Sequence, residues 1–101
     1  MNEITDIPDE WKNISALFVA LGDAQRQRIL LSFEKGERLN ILQIVASSNL
    51  SRTAVCHHLK LLHQSGALNS EKIGKEVFFW VNLKHISEAI EHVLLYINNH
   101  H

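Results

Sequence analysis

The chain has one cysteine, one proline and four glycines in 101 residues. A single thiol excludes an intrachain disulfide and any zinc site built from several thiolates of one chain. No apolar run approaches the roughly 20 residues that cross a bilayer as a helix. The opening stretch, Met1 to Glu10, is acidic and lacks the basic and apolar regions of a secretory leader, so a cytoplasmic protein is expected. There is no phosphate-binding glycine loop, no complete metal-ligand cluster and no acid–base pair at a recognisable spacing. An enzyme is therefore not expected. Charge of either sign is not in excess, the formal net charge being −1.

What remains is a chain with a hydrophobic share of 46%, ordinary for a globular protein. Its length fits one domain spanning residues 1–101. A chain this short buries a modest core, and dimerisation is a common way to add more.

The most informative stretch runs from Asn49 to Leu68. Ser51 is a good N-cap, since its hydroxyl can accept from a free amide of the first turn. Val55, Leu59 and Leu62 follow at i, i+4 and i+7, one stripe of a helix. Gly66 is the expected stop, so the helix should run from about Ser51 to Ser65. Its other face carries Arg52, Thr53, Cys56, His57 and Lys60, with no carboxylate. Such a helix can enter a DNA major groove, where side chains reach base edges and N-terminal amides meet phosphate. A half-buried helix with a solvated face is the plain alternative.

After Gly66, Ala67 to Lys72 and Glu76 to Asn82 read as two strands joined at Ile73-Gly74-Lys75. Val77, Phe79 and Val81 alternate with Glu76, Phe78 and Trp80. The aromatics Phe78 and Trp80 thus occupy a face where polar residues are expected. They either pack on neighbouring loops or on the preceding helix, or form a patch for an apolar ligand or a partner.

Upstream, Pro8 to Leu21 reads as a first helix with Trp11, Ile14, Leu17, Phe18 and Leu21 in one stripe. Gly22 ends it and Asp23 caps a second helix, Ala24 to about Glu34, with Ile29, Leu30 and Phe33 inward. Arg26 and Arg28 point elsewhere, toward phosphate or toward acids. Leu39 to Ala46 contains a short helix, and Ser47-Ser48-Asn49 is the turn before Ser51. Leu83 to about Asn98 forms a last helix, with Leu83, Ile86, Ile90, Val93, Leu94 and Ile97 in a coiled-coil-like seam. Little core is left for so long a seam. Trp11, Ile14 and Phe18 with Ile86, Ile90, Val93, Leu94 and Ile97 are therefore the expected interface of a two-fold homodimer, matching a palindromic operator.

The pattern is mainly α with a small β-hairpin, an α+β winged helix-turn-helix of four helices, two strands and a fifth helix. From Ser51 to Lys75 the bases Arg52, Lys60, Lys72 and Lys75 face a single acid, Glu71, and the other ten carboxylates lie outside. A basic patch on an acidic body suits double-stranded DNA bound by one face. Arg52, Thr53, Cys56 and His57 are expected to face bases, and Ser51, Lys60, Lys72 and Lys75 to favour phosphate. A winged-helix protein-interaction module using Phe78, Trp80 and the terminal helices is the alternative.

Three segments resemble the bacterial ArsR/SmtB family of winged-helix repressors: Leu21 to Leu30, Ser51 to Leu68 and Gly74 to Val81, above all His58-Leu59-Lys60-Leu61-Leu62 followed by Ser65-Gly66. The resemblance implies a homodimeric repressor that releases DNA when an inducer binds. The inducer is not specified by this sequence. The Cys-x-Cys pair of the family's arsenic and cadmium sensors aligns with Asn40 and Leu42. Of the zinc sensors' last-helix ligands only His85 is kept, Leu83, Tyr96 and Asn99 standing at the other positions. Neither metal site is expected. His85, Glu88 and His92 can share a helix face and form a weaker metal-ion candidate, against a plain solvated face. No cofactor is expected, and His100 and His101 are assigned no role.

Overall fold

A computed structural model describes residues 5–101. After a 3-10 turn at Asp9–Trp11, the helices are α1 (Lys12–Leu21), α2 (Ala24–Leu31), α3 (Ile41–Ala46), α4 (Arg52–Gln64) and α5 (Leu83–His100). The strands are β1 (Leu39–Asn40), β2 (Leu68–Ile73) and β3 (Glu76–Val81). The expected helix-helix-helix-helix-hairpin-helix order is present, and β1 adds a third strand.

The helix starts follow from their caps. The Asp23 carboxylate accepts from the amides of Gln25 and Arg26, at 2.9 and 3.1 Å. The Arg26 amide, opposed by burial and helped by the Arg26 charge, holds that carboxyl below its ordinary range. Asn40 and Gln43 form a reciprocal capping box on α3. Ser51 accepts from Ala54, and Asn82 accepts from His85.

Several element boundaries differ from expectation. Pro8 to Trp11 forms a 3-10 turn, Trp11 N–H donating to the Pro8 carbonyl at 2.9 Å, so the regular helix begins at Lys12. Helix α2 stops at Leu31 rather than near Glu34. The Ser32 amide and hydroxyl both close on carbonyls of the last turn, and Phe33 packs half-buried against the core. Helix α5 continues to His100 instead of fraying near Asn98. Strand β1 escaped the sequence because two residues show no alternation. It exists only through pairing of Leu39 with Phe79 and Asn40 with Phe78.

The sheet order is β1-β3-β2, all antiparallel. Leu68 pairs with Val81 and Ile73 with Glu76, leaving Gly74-Lys75 as a two-residue turn. Gly74 has φ 63° and, among the described residues, only glycines have positive φ, so the positive angle falls at the first turn position, which glycine favours. The core joins Leu17, Ile29, Ile44, Val55, Leu59, Leu62, Leu68 and Phe79. It fixes α4 against α3, β2 and both preceding helices, with the opposite face of α4 left to solvent.

One interface expectation needs revision. Ile14 is 5% exposed and belongs to the core of its own chain, because it sits on the same turn face as Leu17. Trp11 is half-buried, its ring edge-on to His92 and Tyr96 at 5.6 and 5.3 Å between centroids. Along the eighteen residues of α5, Ala89 alone is buried.

Candidate nucleic-acid interface

Helix α4 divides as its sequence spacing requires. Val55, Leu59 and Leu62 are buried, while Arg52, Thr53, His57 and Lys60 are exposed and Cys56 is half-buried. Ser51 caps the helix through the Ala54 amide at 3.1 Å. The remaining first-turn amides point outward from the end that carries Arg52 and Thr53. An anion meeting this end finds both the helix dipole and a guanidinium.

The far end of α4 is held by other elements. Ser65 caps it, and Gly66 follows with φ 84°. Ser65 Oγ donates to the Leu62 carbonyl and accepts from the Ala67 amide. His85 Nε2, from α5, donates to the Ser65 carbonyl at 3.1 Å. A Cβ on Gly66 would lie 2.6 Å from the His85 ring, so glycine is needed there twice over. His63 Nε2 lies 3.1 Å from Ser70 Oγ and ties the helix to β2.

The two neighbouring histidines act separately. His57 is exposed, while His58 is half-buried with Nδ1 3.3 Å from Arg26 Nη1. Since guanidinium only donates, Nδ1 accepts here. Arg26 also donates from Nε to the Ala20 carbonyl at 2.6 Å, so it binds the end of α1 to α4 and, among the described residues, forms no ion pair with a carboxylate. Arg28 is exposed and reaches only Gln25 Oε1, at 3.2 Å.

The wing turn and the start of α4 border one cleft. Arg52 and Lys75 line one cleft of about 230 Å³, together with Asn40, Leu42, Glu76 and Val77. Lys72 and Lys75 are exposed. Thus the structure brings the start of the recognition helix and the wing turn to one surface. Lys60, two turns along α4, shares the exposed face but not this cleft.

Arg38, a connector residue by sequence, reaches the wing strands. Its Nη1 lies 3.0 Å from Glu71 Oε2, and its guanidinium carbon sits 3.9 Å from the Trp80 ring centroid. Glu71 is the only acid between Ser51 and Lys75, so Arg38 offsets the one negative charge of the basic segment. The same contact covers Trp80, and Phe78 lies opposite Asn40 and Glu71 in the sheet. Trp80 therefore packs on the lead-in of β1, while Phe78 holds a register position between β1 and β2. The sequence signal for Arg38 was weak, because the pair is separated by 33 positions.

Residues aligned with sensor ligands have other employment. Asn40 caps α3 and Leu42 is exposed. His85 faces Ser65 and His92 faces Trp11, so they do not gather with Glu88. No group of three potential metal ligands forms among the described residues. None of the described helices is long and apolar enough to cross a membrane.

Comparison with known proteins agrees with this geometry. Residues 23–70 match the family model for bacterial regulatory proteins of the arsR family, a span that holds α2, α3 and α4. The transcriptional repressor SdpR of Bacillus subtilis is 27% identical over 82 residues, 81% of this chain and 90% of that protein. A transcriptional repressor SmtB homolog of Synechocystis is 24% identical, over 84% of this chain and 64% of that protein. Among solved structures, an ArsR-like transcriptional regulator from a Rhodococcus species superposes with a TM-score of 0.82 at 20% identity, covering 91% of this chain and 86% of that one. A winged helix-turn-helix DNA-binding domain from Mycobacterium bovis, described as homodimeric, has a TM-score of 0.68 at 15% identity, covering 96% and 93%. With a capped helix on a basic face, a wing beside it and an arsR-family match over residues 23–70, the chain is a winged helix-turn-helix, DNA-binding transcriptional regulator similar to the ArsR/SmtB repressors.

Proposed function

We propose that the chain works as one domain, a homodimeric cytoplasmic repressor without catalytic activity that binds a palindromic operator and is released by an inducer. Arg52, Thr53, Cys56 and His57 read base edges from the start of α4. Ser51, Lys60, Lys72 and Lys75 contact phosphate and set the register. The observation that carries the reading is the meeting of Arg52 and Lys75 at one cleft, which gives a single DNA-facing surface.

Dimerisation rests on a different surface. The seam of helix α5 is mostly uncovered. Leu94 is 53% exposed and Ile97 46%. Beside it, Ile7, Trp11, Phe18, Val19 and Tyr96 line an apolar groove of about 580 Å³. Isolated apolar residues on a surface need no explanation, but a continuous face on two helices does. A second copy of α1 and α5 across a two-fold axis covers it, and two recognition helices then face successive major-groove turns. The relatives named as repressors support the negative sign of regulation.

The test uses Leu94→Glu and a palindromic duplex carrying both half-sites or only one. Sedimentation velocity should show the wild type as a dimer and the variant as a monomer. Deleting one half-site should cost the wild type more than tenfold in affinity and the variant little. A monomeric wild type with no preference for the second half-site would contradict the proposal.

A further inference from the structure

We propose that the cleft between α2 and the α3–α4 turn is a seat for a phosphodiester of the DNA backbone, with Arg28 as its charged contact. This rests on the DNA-binding reading above and widens the footprint beyond the recognition helix and wing. The cleft holds about 350 Å³ and is lined by Gln25, Arg28, Ser32, Ser47, Ser48 and Asn49 over a floor that includes Ile29 and Ile44. It contains no carboxylate, in a chain with eleven acidic residues.

Donor accounting shows what the cleft can offer. Ser32, Ser47 and Ser48 donate their hydroxyls to the carbonyls of Ile29, Ile44 and Val45, so these protons are already used. Arg28 is exposed, and its partner is the neutral Gln25 Oε1. Ion pairs among the described residues join Lys12 to Asp9 and Arg38 to Glu71, and neither involves Arg28. Arg26, two positions earlier, is engaged by carbonyls and His58. The two arginines of α2 therefore divide into a structural one and one with free guanidinium donors. A planar guanidinium with free donors matches the paired oxygens of a phosphodiester. The amide groups of Gln25 and Asn49 supply neutral donors beside it.

Position selects the backbone of DNA as the source of that phosphate. The cleft ends at Leu50, directly before Ser51, the N-cap of α4. A strand whose groove receives the start of α4 must carry its phosphates past the turn that precedes that helix. Arg28 would therefore add affinity and register without reading sequence.

The experiment is fluorescence anisotropy of the full chain on a specific and a random duplex across a chloride series. Arg28→Ala should weaken both duplexes by the same several-fold factor and lower the salt slope by about one. Arg28→Lys should keep most of the slope. Asn49→Asp, which puts a carboxylate in the cleft, should weaken both duplexes at least as much, while thermal midpoints of all three variants stay near the wild type. A wild type that binds normally beside an Arg28→Ala variant of unchanged affinity and slope overturns the seat but leaves the DNA reading standing. Saturation of the cleft by inorganic phosphate at matched ionic strength, with no effect of Arg28→Ala on DNA, also overturns it and assigns a free-anion site. A wild type without salt-dependent DNA binding removes the broader reading, and the seat with it.

Discussion

Arg52 and Lys75 share a cleft but stand on different elements, and that difference predicts different contributions. Arg52 is in the first turn of α4, where a side chain entering the major groove can reach a guanine edge. Lys75 is in the wing turn, a flexible ammonium suited to phosphate. Arg52→Ala should cost about 1–3 kcal/mol on the specific duplex and little on a random one. Lys75→Ala should weaken both alike and reduce the salt slope by about one unit. Equal losses on both duplexes for both variants would contradict the division. Gly66 makes a stability prediction at the same scale. Gly66→Ala meets both a positive φ and the His85 ring, so the thermal midpoint should fall, at a cost of more than about 1 kcal/mol. Removing the ring in a Gly66→Ala/His85→Ala variant should relieve only the steric part, measured by chemical denaturation of all four species.

Between elements, the contact of Arg38 with Glu71 and Trp80 joins the lead-in of β1 to the wing. If Arg38 serves mainly to offset Glu71, then Arg38→Ala should lower DNA affinity a few-fold, and Glu71→Gln should restore it in that background. An additive double variant would assign Arg38 to packing on Trp80 instead. This pair also shows where the sequence was legible and where it was not. The extent of α4 could be read within a residue, because Ser51, the Val55-Leu59-Leu62 stripe and Gly66 are local signals. The hairpin was legible for the same reason, through Gly74 and the alternation around Phe79. Strand β1, the pairing of Arg38 with Glu71 and the tie of His85 to Ser65 depend on residues brought together by tertiary packing. No periodicity marks such contacts. Ile14 illustrates the opposite error, since a helix stripe names the apolar face without saying which part of it faces the chain's own core. The cleft around Arg28 was hidden likewise, because its lining comes from α2, α3 and a turn.

At the scale of the whole molecule, two surfaces of opposite character account for the design. One is basic, built from the start of α4 and the wing tip, on a chain whose net charge is −1. The other is apolar, built from α1 and α5, and only Ala89 of α5 is buried without a partner. His85 ties α5 to the C-cap carbonyl of α4, at the end away from Arg52. In the proposed reading the first surface binds DNA, and the second sets how many copies of α4 do so together. The central claim is tested most directly by anisotropy titration of a duplex from the DNA upstream of the chain's own gene, against a random duplex, across a salt series. The account predicts at least about 1,000-fold tighter binding to the native duplex with a steep salt slope on both. No binding to either duplex, even at low salt, would contradict it and favour a winged-helix module that contacts protein through Phe78, Trp80 and the terminal helices.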